Sequence, residues 1–424
     1  MPDTTYPGPE SIRRHTLNNG LTVLIYHKPA SESVVVEGLV QAGGLVDGKE
    51  KAGLASFTAD MLMRGTRQRS FDAIYEAIES VGASLHFGSG RHVSDFSGVA
   101  LVEDADLLFS LMAGSLREPT FPEDQVERLR SEIMTGLQIR ANDTRRMASL
   151  AFRHLLYGDH PYGRSVDGYP ETVVAITRDD LATFYDRYYG PEGMIITVVG
   201  GLAEDKALAK VEAAFGDWYK TQTRLPEVAA VARPDGLVRS QVTMPQKTQS
   251  DIVLGLPGPL RSAEDYLEAS MANTILGVFG MMGRLGKNVR EKQGLAYYAY
   301  SRLQGGIGPS PWYVSTGVAP DKVEQAIDSI IHEIERMRSE PLPADELADS
   351  QAYRSGSLPV GLETNSGLAG IITDMEYYKL GLDYLQQLPD KFEAMTPESV
   401  QAAAAKYLSS ESLAIAVAGP EVGE

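Results

Sequence analysis

Thr177 to Gly200, TRDDLATFYDRYYGPEGMIITVVG, can be laid over Thr396 to Gly419, TPESVQAAAAKYLSSESLAIAVAG, without a gap. Tyr188 then falls on Tyr407, Met194 on Leu413, Val198 on Val417 and Gly200 on Gly419. Each copy reads as a helix opened by a Thr cap, a Tyr near its end, a turn, and a short apolar strand. Further out, Glu118-Pro119-Thr120-Phe121-Pro122-Glu123-Asp124 has a counterpart in Glu340-Pro341-Leu342-Pro343-Ala344-Asp345. Both segments follow an amphipathic helix, 103–117 and 320–338, and both open another. Copies of about 200 residues indicate a duplicated domain, because solenoid repeats run only to tens of residues.

The boundary falls near Trp218 to Arg239, where Pro226 and Pro234-Asp235-Gly236 interrupt a polar stretch without sustained periodicity. The expected division is 1–218, a linker at 219–239, and 240–424. Strands come first in the N-terminal copy: a hairpin from His15 to Tyr26 around Asn19-Gly20, then Ser33 to Gln41, and later Asp95 to Val102. Strands segregated from helices predict an α+β fold in two duplicated domains, each a mostly antiparallel sheet with helices packed on one face.

Composition narrows the function. The 424 residues are 43% hydrophobic and 23% charged, typical of a globular protein. A formal charge of −18 repels nucleic acid and anionic membranes and favours neutral or basic ligands. The chain has no cysteine, which excludes disulfides and thiolate metal sites. No stretch reaches the roughly 18 apolar residues of a membrane span, and MPDTTYPGPESIRRH lacks the apolar core of a secretory signal. The expectation is a soluble protein, periplasmic if Met1 marks a start left after signal removal and otherwise cytoplasmic.

Gly53 to Thr66, GLASFTADMLMRGT, has the outline of a helix that in one group of zinc peptidases carries H-x-x-E-H. That motif works because positions i, i+3 and i+4 share a helical face, placing two imidazoles on zinc and a carboxylate beside its water. Here the three positions are Ser56, Ala59 and Asp60, which leave one weak oxygen ligand and no general base. Glu132 in SEIMTGL is the remaining candidate ligand. Asp60 with Glu132 makes an oxygen-only pair suited at best to magnesium or calcium, or else two solvated or ion-paired carboxylates. Seven histidines offer no substitute, since no two lie three or four residues apart. No catalytic zinc is expected in this chain.

Further stretches complete the pattern: NNGLTVLIYHKP near the start, HPYG at 160–163, MIITVVGG, and LGVFGMMGRLGKNVREKQGLAYYAYS at 276–301. With these the chain resembles the pitrilysin, insulin-degrading enzyme and mitochondrial processing peptidase family, the inverzincins. The resemblance implies two related α+β domains per chain and a clamshell of two chains, or two halves of one, around a peptide. In such pairs one half holds zinc and the other contributes an arginine and a tyrosine seven residues apart. The matching positions are Arg290 and Tyr297. The chain is thus similar to the non-catalytic subunit of a bacterial heterodimer, whose zinc and H-x-x-E-H reside in a homologous partner and whose substrates are unfolded peptides. The competing expectation is a scaffold subunit of a larger complex.

The residues themselves allow that reading. Met281 to Lys292 reads as a helix, Gly294 as its stop, and Leu295 to Arg302 as a strand. Arg290 and Tyr297 would then lie on either side of one turn, and guanidinium and phenol are donors that suit a peptide carbonyl or its oxyanion. Packed alternatives exist: a dipole-complementing arginine, and a tyrosine alternating with Leu295 and Ala299 in the core. One departure concerns Gly277-Val278-Phe279-Gly280-Met281-Met282-Gly283, which replaces the very glycine-rich loop of mitochondrial partner subunits. Met281 and Met282 there suit an adaptable apolar contact or core packing equally.

Overall fold

The structure is a computed structural model and describes residues 6–278 and 283–421. In chain order its first half holds β1 (Ile12–Thr16), β2 (Thr22–His27), β3 (Ser33–Val40), α1 (Leu54–Met61), α2 (Phe71–Ser80), β4 (Ser84–Ser89) and β5 (Ser94–Leu101). There follow α3 (Ala105–Arg117), α4 (Glu123–Ala141), α5 (Thr144–Tyr157), α6 (Pro170–Ala175), α7 (Arg178–Tyr188), β6 (Ile195–Gly200) and α8 (Glu204–Phe215). The second half holds β7 (Leu237–Thr243), β8 (Ser250–Pro257), α9 (Tyr266–Asn273), β9 (Ala296–Leu303), β10 (Pro311–Val318) and α10 (Val323–Ser339). It closes with α11 (Ala344–Gly361), α12 (Asn365–Tyr377), α13 (Tyr384–Glu393), α14 (Pro397–Tyr407) and β11 (Leu413–Gly419).

Two compact units emerge. The first takes residues up to Gly136, Ser165–Pro226 and Leu358–Leu388; the second takes Leu137–Arg164, Glu227–Ser357 and Pro389 onward. Each unit therefore includes a segment from the other half of the sequence. Residues 219–236 contain neither helix nor strand, and β7 begins at Leu237.

The sheet of the first unit runs β1-β2-β6-β3-β5-β4, and that of the second β7-β11-β8-β10-β9. Only β2 with β6, and β7 with β11, pair in parallel; the other pairings are antiparallel. With β6 laid on β11, β2 corresponds to β7, β3 to β8, β5 to β10 and β4 to β9. This α+β duplication follows the repeat read from the sequence. The second unit lacks counterparts of β1 and of α8, since β7 is an edge strand and β11 is the last element described.

Local chemistry explains the repeated element. Thr177 and Asp180 form a capping box at α7, the Asp180 carboxylate accepting the Thr177 N–H at 2.7 Å. Thr396 and Ser399 do the same at α14, at 3.2 Å. Such caps satisfy amides the first helical turn leaves unpaired, each worth about 1 kcal/mol. The Asn19-Gly20 turn forms as its residues predict, with Gly20 at φ 86°, and the Asn19 amide donates to the Phe215 and Trp218 carbonyls at 2.7 and 3.1 Å.

The central strands β6, β8 and β11 are buried almost throughout, so both faces of each sheet are covered there. In the first unit α3 covers one face: a Cβ on Gly98 of β5 would stand 2.6 Å from Leu108. The opposite face receives α12, whose Thr373 hydroxyl lies 2.7 Å from that of Thr197 on β6. In the second unit Ser301 of β9 donates to Asn273 of α9 at 2.7 Å, while α5 packs on β11, β8 and β7. The segment taken from the other half of the sequence thus adds a helix on the face that the remaining helices leave open. Each fully buried Val or Ile of these strands contributes about 1.5–3 kcal/mol.

Candidate functional site

The helix α1 carries Ser56, Ala59 and Asp60 on one face, as the spacing predicts. Its start is fixed by Gly53 at φ 95° and by the buried Asp47 carboxylate, which accepts the N–H of Gly53 at 2.9 Å and of Ala55 at 3.1 Å. Phe57 and Met61 anchor the opposite side in the core. Ala59 is fully buried, whereas Ser56 and Asp60 are half-buried.

Glu132 extends from α4 and is held by arginine. Arg64, three residues beyond α1, makes a fork-to-fork pair with it: Nη1 to Oε1 at 3.2 Å and Nη2 to Oε2 at 2.5 Å. Arg128 approaches the same carboxylate at 3.5 Å. Both guanidinium groups also face the Phe71 ring, at 5.0 and 5.2 Å from its centroid. Bidentate arginine is the strongest ordinary partner of a carboxylate, and cation–π contact adds to it.

The two carboxyls of the old motif consequently titrate in opposite directions. Glu132 lies below the usual range, chiefly through the Arg64 hydrogen bond. Asp60 is pushed up to about 6, first by burial and further by Asp167 and Glu132, with His86 and Arg64 opposing. Ser56 and Ala59 add no imidazole and no base. These residues do not fit a zinc ion: Glu132 is taken up by arginine, and Asp60 is half-protonated near pH 6. Among the described residues no group of three or more His, Asp or Glu side chains could hold a metal. A groove of about 610 Å³ between α3 and α8 includes none of the four motif positions.

The second half of the candidate site lies in the other unit. Phe279 to Met282 fall outside the described residues, and the expected helix is described from its later part. There Gly286–Lys292 is π-helical, a wider coil than the α-helix the sequence suggests. Such segments are rare and concentrate at functional sites. The stop at Gly294 is the expected one: it sits at φ 61°, its N–H bonds Arg290 O at 3.1 Å, and Leu295 N–H bonds Val289 O at 3.0 Å. The Gly294 bond is the 5→1 closure of an αL C-cap, which needs a left-handed residue.

Arg290 is exposed on this segment. Tyr297 follows on β9, 86% exposed, while Leu295 and Ala299 on either side are buried. The packed-core alternative for Tyr297 therefore fails, for a specific reason. In the pairing of β9 with β10, Tyr298 faces Gly317 and Ala296 faces Val318, so Tyr297 is a bulge without a partner. Bulges re-aim side chains, and here the bulge turns Tyr297 out of the core. Among the described residues neither the Arg290 nor the Tyr297 side chain has a hydrogen bond or ion pair.

What holds this turn was not visible in the sequence. Asn288 donates to Glu333 of α10 at 2.6 Å, and Arg336 reaches the same buried carboxylate at 3.0 Å. Arg284, itself buried, pairs with Glu346 of α11 at 2.9 Å. Asp251, also buried, accepts Thr144 Oγ1 at 2.5 Å and the Tyr298 hydroxyl, fixing the residue beside the bulge. Arg64, Arg128 and Phe71 were likewise missed, although Arg64 stands inside the quoted motif.

Comparison with known proteins follows this geometry. A family model described as Insulinase (Peptidase family M16) matches residues 22–166, and one described as Peptidase M16 inactive domain matches 175–353. An uncharacterized zinc protease of Streptomyces coelicolor is 27% identical over 414 residues, covering 97% of this chain and 90% of that protein. One from Mycobacterium leprae is 29% identical over 413 residues, covering 96% and 92%. The crystal structure of a peptidase M16 inactive domain from Pseudomonas fluorescens superposes with a TM-score of 0.90 at 26% identity, covering 97% of this chain and 98% of that one. A protease from Helicobacter pylori shares the fold at a TM-score of 0.91 and 19% identity, covering 98% and 100%. No helix among the described residues is long and apolar enough to cross a membrane.

Proposed function

The chain belongs to the peptidase M16 family, and we propose that within it this protein is the non-catalytic subunit of a heterodimeric zinc metallopeptidase. It binds unfolded peptide and supplies Arg290 and Tyr297 in trans to a homologous partner that carries zinc on H-x-x-E-H. The observation that carries this reading is the contrast in how charge is used. Of the two carboxyls at the motif positions, Glu132 is engaged by Arg64 and Asp60 is raised by burial. Arg290 and Tyr297 lie exposed at a closed helix end and a bulge. A purely structural subunit has no use for such an exposed pair.

Zinc in the partner would supply the activated water. This chain's part is to bind and orient. The Arg290 guanidinium and the Tyr297 hydroxyl are fixed donors for the scissile carbonyl, and they bind an oxygen more strongly as negative charge develops on it. The backbone that carries them is held by the αL closure at Gly294 and by strand β9. Peptide held in extended form at a sheet edge exposes its carbonyls and is read through its backbone. β9 is such an edge and begins at this turn.

The test reconstitutes the pair with a zinc-bearing homologue and measures peptide hydrolysis with wild type, Arg290→Ala and Tyr297→Phe. Loss of one donor is expected to lower kcat by about 10²- to 10³-fold. Full activity with both variants would remove the in-trans role.

A further inference from the structure

The geometry points to a second peptide site: we propose that the outer edge of β7 binds an extended, positively charged peptide segment as an added antiparallel strand. This site belongs to the second unit alone and does not depend on a zinc-bearing partner.

The duplication shows what the second unit lacks. In the first unit the outer edge of β2 is filled by β1, antiparallel over five residue pairs from Ile12↔Tyr26 to Thr16↔Thr22. β7 is the counterpart of β2 and ends its sheet without a neighbour. Met244 donates to Gly419 O at 2.7 Å and Leu413 to Gly236 O at 3.2 Å, which sets the parity of β7. Even-numbered residues face β11, so the backbone groups of Arg239, Gln241 and Thr243 face outward. Among the described residues none of these three amides or carbonyls has a backbone partner on that side. Open edges are ordinarily blunted by charged side chains, proline or a bulge; β7 (LVRSQVT) has no proline or bulge, and its one charge, Arg239, is paired with Glu324.

The side chains on this edge are equally telling. Where β2 has the fully buried Val23 and Ile25, β7 has Arg239 and Gln241. The face that α8 covers in the first unit is therefore polar in the second. Beside it lies a groove of about 400 Å³ lined by Gln241, Ser250, Asp321, Glu324 and Glu421, with no lysine or arginine in its lining. Glu324 is occupied by Arg239, at 2.7 and 3.0 Å. Asp321 has only a distant contact with Lys322, at 3.7 Å. The Ser250 hydroxyl is buried, lines the groove and has no hydrogen-bond partner. A buried polar atom left unpaired is uncommon, and this one belongs to a residue of the groove's lining.

β1 supplies the template for the occupant. Its arginines leave the edge toward carboxylates of flanking helices: Arg13 to Glu204 at 3.3 Å and Arg14 to Glu376 at 2.8 Å. Beside β7, Asp321 and Glu421, the latter accepting the Thr243 hydroxyl at 3.1 Å, offer carboxylates on the one face that the groove borders. Backbone pairing with the edge gives affinity and basic side chains in the acidic groove give selectivity.

The probe is a labelled, end-blocked peptide with the sequence of residues 11–17, SIRRHTL, and its counterpart with glutamate in place of both arginines. The full-length protein is expected to bind the basic peptide at least about tenfold more tightly, with hydrogen exchange slowed at the amides of Arg239, Gln241 and Thr243. Asp321→Asn combined with Glu421→Gln, both outside the strand, should lower affinity about tenfold, and Gln241→Pro should abolish it while leaving the β11 ladder intact. Equal binding of both peptides, or of the basic peptide by wild type and both variants, would show mere attraction to an acidic protein and overturn the proposal. So would protection of these amides without peptide in a species of dimer mass, which would assign the edge to a second copy of the chain.

Discussion

In the first unit Glu132 is gripped by Arg64 and Arg128 against Phe71, whereas in the second Arg290 and Tyr297 have no side-chain partner among the described residues, at the end of a π-helical turn. Both arrangements belong to one duplicated fold, whose strand orders correspond for all but β1. At the first, the Glu132 carboxylate is neutralised by its two arginines. The second keeps its donors exposed and anchors the turn around them, through Asn288 on Glu333 and Tyr298 on Asp251. The lesson concerns where rigidity is placed. A surface that binds a reacting group needs donors carried on fixed backbone, and the second unit provides such a backbone at this turn.

The sharpest break of this comparison is kinetic. Arg290→Ala should cost about 2.7–4 kcal/mol of transition-state stabilisation in the reconstituted heterodimer, read as kcat. Arg64→Ala in the other unit should change kcat less than about threefold, because its partner is a surface carboxylate. Equal losses would mean that the two regions do not differ in role.

Next in size is the anchor. Glu333→Ala removes a buried carboxylate that two donors share, and a loss of about 2–4 kcal/mol is expected in chemical denaturation. Hydrogen exchange at 286–292 should accelerate. Glu333→Gln, which still accepts from Asn288, should restore most of the exchange protection.

Much of this architecture could be read locally. The Thr177 and Thr396 caps, the Asn19-Gly20 hairpin and the Gly294 stop each depend on a few adjacent residues, and each forms as its chemistry requires. What the sequence concealed is non-local. Nothing in the amphipathic pattern of α5 or α12 says which sheet it will cover, so the exchange of segments between units had no signal. The bulge at Tyr297 arises from pairing with β10, since alternation alone would have buried Tyr297 with Leu295 and Ala299. The Arg64–Glu132 pair joins residues 68 apart in sequence.

The two carboxyls of the emptied motif sharpen the comparison by titration. Asp60 has its carboxyl raised to about 6 in the fold, well above the ordinary aspartate value, so the unfolded chain releases its proton first. Its contribution to stability is present below about pH 4 and is lost as pH rises through about 6. Asp60→Asn should therefore be more stable than wild type above pH 6, by about 1–3 kcal/mol. Glu132 is depressed, so its contribution is present above the usual glutamate range and lost as pH falls through its lowered value. Melting curves from pH 3 to 8 for Asp60→Asn and Glu132→Gln should diverge from wild type in opposite directions. Parallel curves would refute the assigned environments.

The smallest effect comes from two glycines. Gly136 lies inside α4 and Gly356 inside α11, helices that the duplication makes equivalent. Neither has a positive φ, and a Cβ at either would meet nothing within 4 Å. No steric demand therefore keeps glycine there, and both positions lie where a helix passes from one unit to the other. Alanine in an unstrained helical site stabilises by about 0.4–1 kcal/mol, chiefly by restricting the unfolded chain. Gly136→Ala and Gly356→Ala should each raise Tm by about 1–3 °C, and the double variant should give their sum, since the sites are independent. A fall in Tm for either would show that the helix at that crossing does not have the regular geometry described, and the equivalence of the two helices would fail at that residue.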